Sequence, residues 1–349
     1  MPWYGFFLLP FAFIFRLITE VRNFLYDHEL LKSHKSPIKT LVVGNLSVGG
    51  TGKTPMVEFL IHSLKGKIHL ASLSRGYGRK TQGFLMANSN SSPKEIGDEP
   101  LQIFQKFKSN VPVFVGEDRV EALKKMAKLN STIQGVILDD AFQHRKLKPD
   151  FSIILTSFSK PFFRDFLLPA GRLRESRKGA RRAHVIIVTK CPSGLSLKEK
   201  ERYGDQIRKY SSSSAEIFFS GIGYGAPYLV WGNKSEFIPK VVVVSGLADD
   251  SLFLEFCKNT FEVVDSVSFP DHYEYRREDA TTLVGLVKKH QDAKVVLLTT
   301  EKDAEKLKSL AKQGFLEEIP IFALPIEVKF EPSEQEMLLS IIREKFIEK

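Results

Sequence analysis

Cysteine is scarce in this chain. Cys191 and Cys257 stand 66 positions apart with no CxxC spacing, which excludes a disulfide framework and a cysteine-built zinc site and points to a reducing compartment. Long apolar runs are missing too. The run from Trp3 to Phe15 is interrupted by Pro10 and stopped by Arg16; its 13 residues fall short of the roughly 20 that cross a bilayer as a helix. No basic segment precedes it and no A-x-A-like site follows, so it does not read as a secretory signal peptide. Glycine and proline follow no short period, which sets aside collagen-like and low-complexity chains. Acidic residues are outnumbered, 41 against 51 Lys+Arg, leaving a net charge of +10 and favouring an anionic partner.

What is present is organised. The charge excess is concentrated between Arg145 and Arg182, where 11 Lys/Arg meet 3 Asp/Glu. A solvated face is the plain reading of such a run, yet Phe162, Phe163, Phe166, Leu167 and Leu168 lie inside it. A surface both basic and apolar suits a phosphorylated, lipid-like ligand better than a duplex. No helix-turn-helix, RRM or zinc-finger spacing accompanies the charge, so nucleic acid is not an expected partner. Near the start of the sequence, Phe11, Phe15, Ile18, Phe24 and Leu25 share a broad helical face with Arg16, Glu20 and Arg22 off it. Trp3 and Tyr4 suit the membrane–water boundary. A helix packed on a core sheet is one reading. The preferred one is a helix lying in a membrane interface.

Short β-branched runs at Leu41–Val43, Ile68–Leu73, Val113–Val115, Val136–Leu138, Ile153–Leu155 and Val185–Val188 alternate with helix-length segments, the pattern of a parallel sheet covered on both faces. A second series, Val241–Val244, Val263–Val267, Val295–Leu298 and Ile319–Phe322, begins after the serine and glycine positions 211–225. The expected organisation is an interface helix over 1–27, a kinase-type core over 28–215, a connector over 216–240, a smaller α/β domain over 241–325, and a return connector with a terminal helix over 326–349.

Leu41–Val43 runs through Gly44-Asn45-Leu46 into Ser47-Val48-Gly49-Gly50-Thr51-Gly52-Lys53-Thr54. A strand, a glycine-rich turn and Gly-Lys-Thr opening a helix make a phosphate loop, and hence a P-loop NTPase-type α/β fold. Backbone N–H groups wrap a β-phosphate, Lys53 reaches the β/γ oxygens, and the Thr54 hydroxyl ligates Mg²⁺. Ser47 departs from the strict pattern, which has glycine there. Val136-Ile137-Leu138-Asp139-Asp140 is an apolar strand ending in acids. Such acids can be plain helix caps; after a phosphate loop at this distance they read as Mg²⁺ carboxylates. Thr189-Lys190 resembles the start of a GTPase base-reading motif, but Cys191-Pro192 follow and the acid that reads guanine is missing.

The chain resembles the tetraacyldisaccharide 4′-kinase family, the lipid A 4′-kinases of Gram-negative bacteria. Carrying the resemblance are GGTGKTP at Gly49–Pro55, Ser74-Arg75-Gly76-Tyr77-Gly78-Arg79, Gly97-Asp98-Glu99-Pro100 and Gly116-Glu117-Asp118-Arg119. Asp139-Asp140-Ala141-Phe142-Gln143-His144, Leu168–Glu175, Phe269–Tyr273 and Thr300-Glu301-Lys302-Asp303 extend it. Ala141 stands where the family pattern has glycine, and Tyr273 where a second histidine is common. The resemblance implies transfer of the ATP γ-phosphate to the 4′-hydroxyl of a tetraacyldisaccharide 1-phosphate, with ATP and Mg²⁺ as cofactors. It further implies peripheral attachment to the cytoplasmic face of the inner membrane and no obligate protein partner. In that scheme Lys53 supplies charge, Thr54, Asp139 and Asp140 hold the metal, and Asp98 is the base, paired with His272. Glu99, Gln143 and His144 position the acceptor or γ-phosphate, and Arg75, Arg119 and Arg172 clamp phosphates. Each also has a structural reading, Asp98 as a turn residue and the arginines as salt-bridge partners. A membrane-recruited regulatory P-loop ATPase is the competing class, but its signature lysine before the two glycines is replaced by Val48. Turnover that depends on a lipid disaccharide acceptor separates the two.

Overall fold

The computed structural model describes residues 5–348 apart from 234–235, 272, 291–293 and 317–318. The chain forms two compact units, one built from Met1–Ile222 with Val328–Lys349 and the other from Gly223–Glu327. In the first unit, helix α1 (Gly5–Asp27) precedes β1 (Lys39–Asn45), α2 (Lys53–Leu64), β2 (Leu70–Ser74), β3 (Leu85–Met86), α3 (Pro93–Ile96) and α4 (Asp98–Phe107). There follow β4 (Val113–Val115), α5 (Arg119–Leu129), β5 (Gly135–Asp139), β6 (Phe151–Ser157), β7 (Val185–Thr189), α6 (Leu197–Arg208) and β8 (Glu216–Tyr224). The second unit carries β9 (Tyr228–Trp231), β10 (Lys240–Ser245), α7 (Ser251–Thr260), β11 (Glu262–Ser268), α8 (Arg277–Lys288), β12 (Val296–Thr300), α9 (Glu301–Lys312) and β13 (Ile321–Leu324). The chain returns through β14 (Ile326–Phe330) and α10 (Pro332–Ile342).

The first sheet runs β14-β8-β7-β6-β1-β5-β2-β4-β3. Pairing is parallel from β8 to β4, and β3 closes the far edge antiparallel to β4. Strand alternation sends Leu41 and Val43 to one face and Val42 to the other. Phe151, Ile153 and Leu155 of β6 likewise oppose Ile154. Two apolar layers therefore sandwich the sheet, which is why its central strands read as unbroken apolar runs. Leu338 and Ile342 of α10, with Phe346 after it, fill the layer that holds α2.

In the second unit the order is β11-β10-β12-β13-β9, with β9 antiparallel to β13 and the other pairs parallel. Tyr228–Trp231, inside the stretch read from the sequence as a connector, is thus an edge strand. Four residues between Pro227 and Gly232 leave too short a pattern to read as a strand. Next to this unit's first and last strands, the Gly225 N–H donates to the Pro325 carbonyl at 3.0 Å.

Helix α1 does not bury an apolar face. Among its residues with described side chains Ala12 and Thr19 are buried, whereas Phe11, Phe13 and Ile18 are 61%, 66% and 61% exposed, and Ile14, Leu17, Val21 and Phe24 are exposed as well. The core-packed reading of this helix therefore gives way. Among the described residues no helix is long and apolar enough to cross a membrane. Trp3 and Tyr4 lie outside the described residues. Polar contacts seat the other end of α1: Arg22 Nη2 donates to the Gln143 carbonyl at 2.7 Å, and Arg145 reaches Asn23 and Asp27.

Candidate active site

β1 ends in Asn45, and the loop that follows turns back into α2 within seven residues. Gly49 and Gly52 have φ of +105° and +80°, and no atom lies within 4 Å of a Cβ placed on either. Glycine is required there for backbone conformation and not for space. Ser47 forms an antiparallel bridge with Leu173, extended backbone that any residue adopts, so the missing first glycine costs the loop nothing. The loop is braced on three sides. Asn45 Nδ2 donates to Thr51 Oγ1 at 2.8 Å, Thr189 Oγ1 to the Thr51 carbonyl at 2.9 Å, and the Val48 N–H to the Arg172 carbonyl at 2.8 Å. Lys53 and Thr54 are the first two residues of α2, where unpaired N–H groups and the helix dipole favour an anion.

The carboxylates come from β5, the parallel neighbour of β1. Asp139 is 6% exposed, and its Oδ1 has no hydrogen-bond partner among the described residues. Burial, reinforced by Asp140 and Glu99 against the pull of Lys53 and Arg119, pushes its carboxyl up to about 7. Asp140, at φ +50°, is the opposite case. Burial pushes it up, but Lys53 at 3.8 Å and the Arg174 guanidinium, at 3.0 and 2.7 Å from its two oxygens, outweigh burial and hold it ionised well below the usual range. Arg119 is buried, donates to the Glu117 carbonyl at 2.7 Å, and is lowered to about 10 by burial and by Arg75. Lys53 and Arg119 act on both acids, Arg174 clamps Asp140, and the exposed Arg75 acts on Arg119; with Glu99 counted among the acids, positive charge is still in excess, which fits polyphosphate. The unpaired buried oxygen of Asp139, whose carboxylate feels the charge of Lys53, fits a hard cation. Mg²⁺ takes one or two carboxylates and completes its shell with phosphate and water.

The family model for tetraacyldisaccharide-1-P 4′-kinase matches residues 4–343. This chain belongs to that family. A tetraacyldisaccharide 4′-kinase of Flavobacterium psychrophilum is 39% identical over 331 residues, covering 93% of this chain and 94% of the relative. One of Bacteroides thetaiotaomicron is 36% identical over 346 residues, 94% and 90% of the two chains. The crystal structure of the "apo" form of LpxK from Aquifex aeolicus in complex with ATP superposes with a TM-score of 0.74 at 33% identity, covering 98% of this chain and 99% of that one.

Other expected residues of the kinase fall into two groups. Asp98 and Glu99 open α4 after Gly97, whose φ is +94° and whose Cβ would meet the Tyr77 carbonyl at 2.9 Å. The Gly97–Glu99 and Arg75–Tyr77 turns thus pack together, and Glu99 lies near enough to act electrostatically on Asp139. His144 Nε2 stands 3.9 Å from Asp118 Oδ1, and burial, then Arg119, pushes its imidazole down to about 4, so it is neutral at pH 7. Gln143 and Arg172 are engaged in holding the loop. Gln143 Nε2 donates to the Asn45 carbonyl and to Glu175 Oε1, both at 2.9 Å. Arg172 pairs with Asp165 at 2.9 Å. His272 lies outside the described residues.

Sequence reasoning missed three residues of the kinase that shape this site. Asn45 links the loop to Arg174, donating to Thr51 and accepting from the guanidinium through Oδ1. Arg174 clamps Asp140. Buried Glu175 takes both nitrogens of Arg182, at 2.8 and 2.9 Å, together with Gln143 and with Asn23 of α1 at 3.0 Å. The readable signal for Asn45 was a polar residue ending an apolar strand. Arg174 was one of eleven cations in a run whose spacing does not rank them.

Proposed function

We propose that this kinase transfers the γ-phosphate of ATP to the 4′-hydroxyl of a tetraacyldisaccharide 1-phosphate, giving the 4′-phosphorylated lipid A precursor and ADP. The observation that carries the reading is the family match over residues 4–343, lying on a loop whose Lys53 reaches the Asp139–Asp140 pair. Phosphoryl transfer demands positioning and charge neutralisation above all. Lys53 and the helix N-terminus take the β/γ oxygens, and Arg119 and Arg75 offer further cations. Thr54 and Asp139 would hold Mg²⁺, with Asp140 beside them; when bound, the metal would neutralise charge on the phosphate groups. Asp98 accepts the proton of the acceptor hydroxyl, and His272 orients that carboxylate and raises its basicity. Ionised Asp140 is fixed by Arg174, so it keeps one orientation through turnover.

The substrate has to be met at a lipid surface. The exposed apolar side chains of α1, next to the basic stretch from Arg145 to Arg182, support an interfacial helix on the cytoplasmic leaflet of the inner membrane. The decisive experiment is a γ-labelled ATP transfer assay with tetraacyldisaccharide 1-phosphate in mixed micelles. Label should appear in the lipid and depend on Lys53. Label released only as inorganic phosphate, with or without the lipid, would overturn the reading.

A further inference from the structure

Thr300-Glu301-Lys302-Asp303 carries part of the family resemblance, yet the phosphate and metal chemistry leaves it without a task. The segment opens α9 in the second unit, and side chains fix that first turn. Thr300 caps the helix, its Oγ1 accepting from the Asp303 N–H at 3.2 Å and donating to Asp303 Oδ2 at 2.8 Å. The same carboxylate oxygen takes the Gly246 N–H at 2.8 Å, and a Cβ on Gly246 would meet Asp303 Oδ1 at 2.6 Å. Thr300 and Asp303 are both buried. The start of α9 is thus locked to the chain leaving β10, which sets the direction in which the neighbouring lysines depart.

Lys302 and Lys306 stand four apart and so share a face of the helix. Lys302 Nζ reaches Asp271 Oδ1 at 2.6 Å, and Lys306 Nζ donates to the Tyr273 carbonyl at 3.2 Å. One helix therefore holds the residue before position 272 by its side chain and the residue after it by its backbone. Tyr273 has further ties. Its N–H donates to the Pro270 carbonyl at 3.2 Å and its phenol to Asp279 Oδ1 at 3.3 Å, while its ring packs on Phe269 and Tyr275 with centroids 4.8 and 5.6 Å away. The Asp271 side chain is one-third exposed, and an ion pair so open to water adds little stability. What it fixes is a position. We infer that Lys302 is a positioning residue for the phosphoryl transfer: paired with Asp271, while Lys306 holds the Tyr273 carbonyl, it keeps His272 in one working orientation.

This assignment rests on the reading of His272 as the partner of Asp98, and its test separates the two. The measurement is the kinetics of γ-phosphate transfer by the full chain to tetraacyldisaccharide 1-phosphate in mixed micelles, with thermal melts alongside. Lys302→Met keeps the stem and removes the charge; Lys302→Arg keeps the charge. Lys302→Met should lower kcat roughly 10- to 100-fold with KM for MgATP and melting temperature unchanged, and Lys302→Arg should recover most of the rate. Asp271→Asn breaks the pair from the other side and should repeat the loss, the double variant being no worse than either single. Added to His272→Ala, Lys302→Met should cost nothing more. A wild-type rate in Lys302→Met would overturn the proposal, as would the same fold loss with and without His272. A raised KM with kcat unchanged would make Lys302 a substrate contact, and a rate loss that tracks a lowered melting temperature in both Lys302→Met and Asp271→Asn would make the pair structural; either result overturns it. A wild-type rate in His272→Ala would remove the Asp98 partnership and this assignment with it.

Discussion

Asp139, with one oxygen unpaired at the end of β5, and Asp140, gripped by Arg174, titrate in opposite directions although they adjoin. The Asp139 carboxyl is pushed up to about 7 by burial first of all, whereas an unfolded aspartate titrates near 4. Between those values the native chain keeps a proton that the unfolded chain has released. The Asp139 contribution to stability is thus fully present below about pH 4 and is lost as pH rises toward 7, flat thereafter. Thermal melts of the nucleotide-free protein from pH 4 to 8 should show that decline, and Asp139→Asn should flatten it while abolishing transfer. Added Mg²⁺ should raise the melting temperature of the wild type at pH 8 and leave Asp139→Asn unmoved. A slope that persists unchanged in the variant assigns the decline to other groups. For Lys53→Ala, which removes a half-buried cation and no core packing, kcat should fall roughly 10²- to 10³-fold with the melting temperature nearly unchanged.

At the scale of elements, two helices carry separable predictions. Replacing Phe11, Phe13 and Ile18 of α1 by glutamine alters exposed positions, so the melting temperature should hold while sedimentation with anionic vesicles drops. Retained sedimentation would assign membrane contact to the basic stretch alone. At the start of α4, Gly97→Ala must strain a φ of +94° and push the Tyr77 carbonyl from 2.9 Å. The expected cost is about 1–3 kcal/mol of stability and a larger loss in kcat, because Asp98 and Glu99 move with the turn. How legible each element was follows its physics. β1, β5, β6 and β7 are buried on both faces and show as apolar runs, and the loop shows because its glycines and Lys53 are fixed by chemistry. β9 is a four-residue edge strand whose partner comes some ninety positions later, so no local pattern announces it. Arg174 and Glu175 matter through partners at Asp140, Arg182, Gln143 and Asn23, which only tertiary contacts reveal.

For the whole molecule, the proposed base and its partner come from different units, since Asp98 belongs to the first and position 272 falls within Gly223–Glu327. Groups that act as one unit lose their effect together. Rates of Asp98→Ala, His272→Ala and the double variant should therefore be non-additive, the double little worse than the more damaging single, with MgATP affinity nearly constant throughout. Fully multiplicative losses would leave Asp98 to work without the histidine.

The hydrogen bond from Gly225 to Pro325, beside neighbouring strands β8 and β14, bears on how such a chain can be assembled by evolution. The chain enters the second unit at the end of β8 and leaves it into the neighbouring strand β14, so a gene segment coding for that unit can be gained, exchanged or lost without rethreading the first. Excising 226–324 and closing the gap with a short turn should leave a protein that folds cooperatively and binds MgATP. Having lost His272 with the excised segment, it should still bind MgATP while transferring little γ-phosphate to lipid.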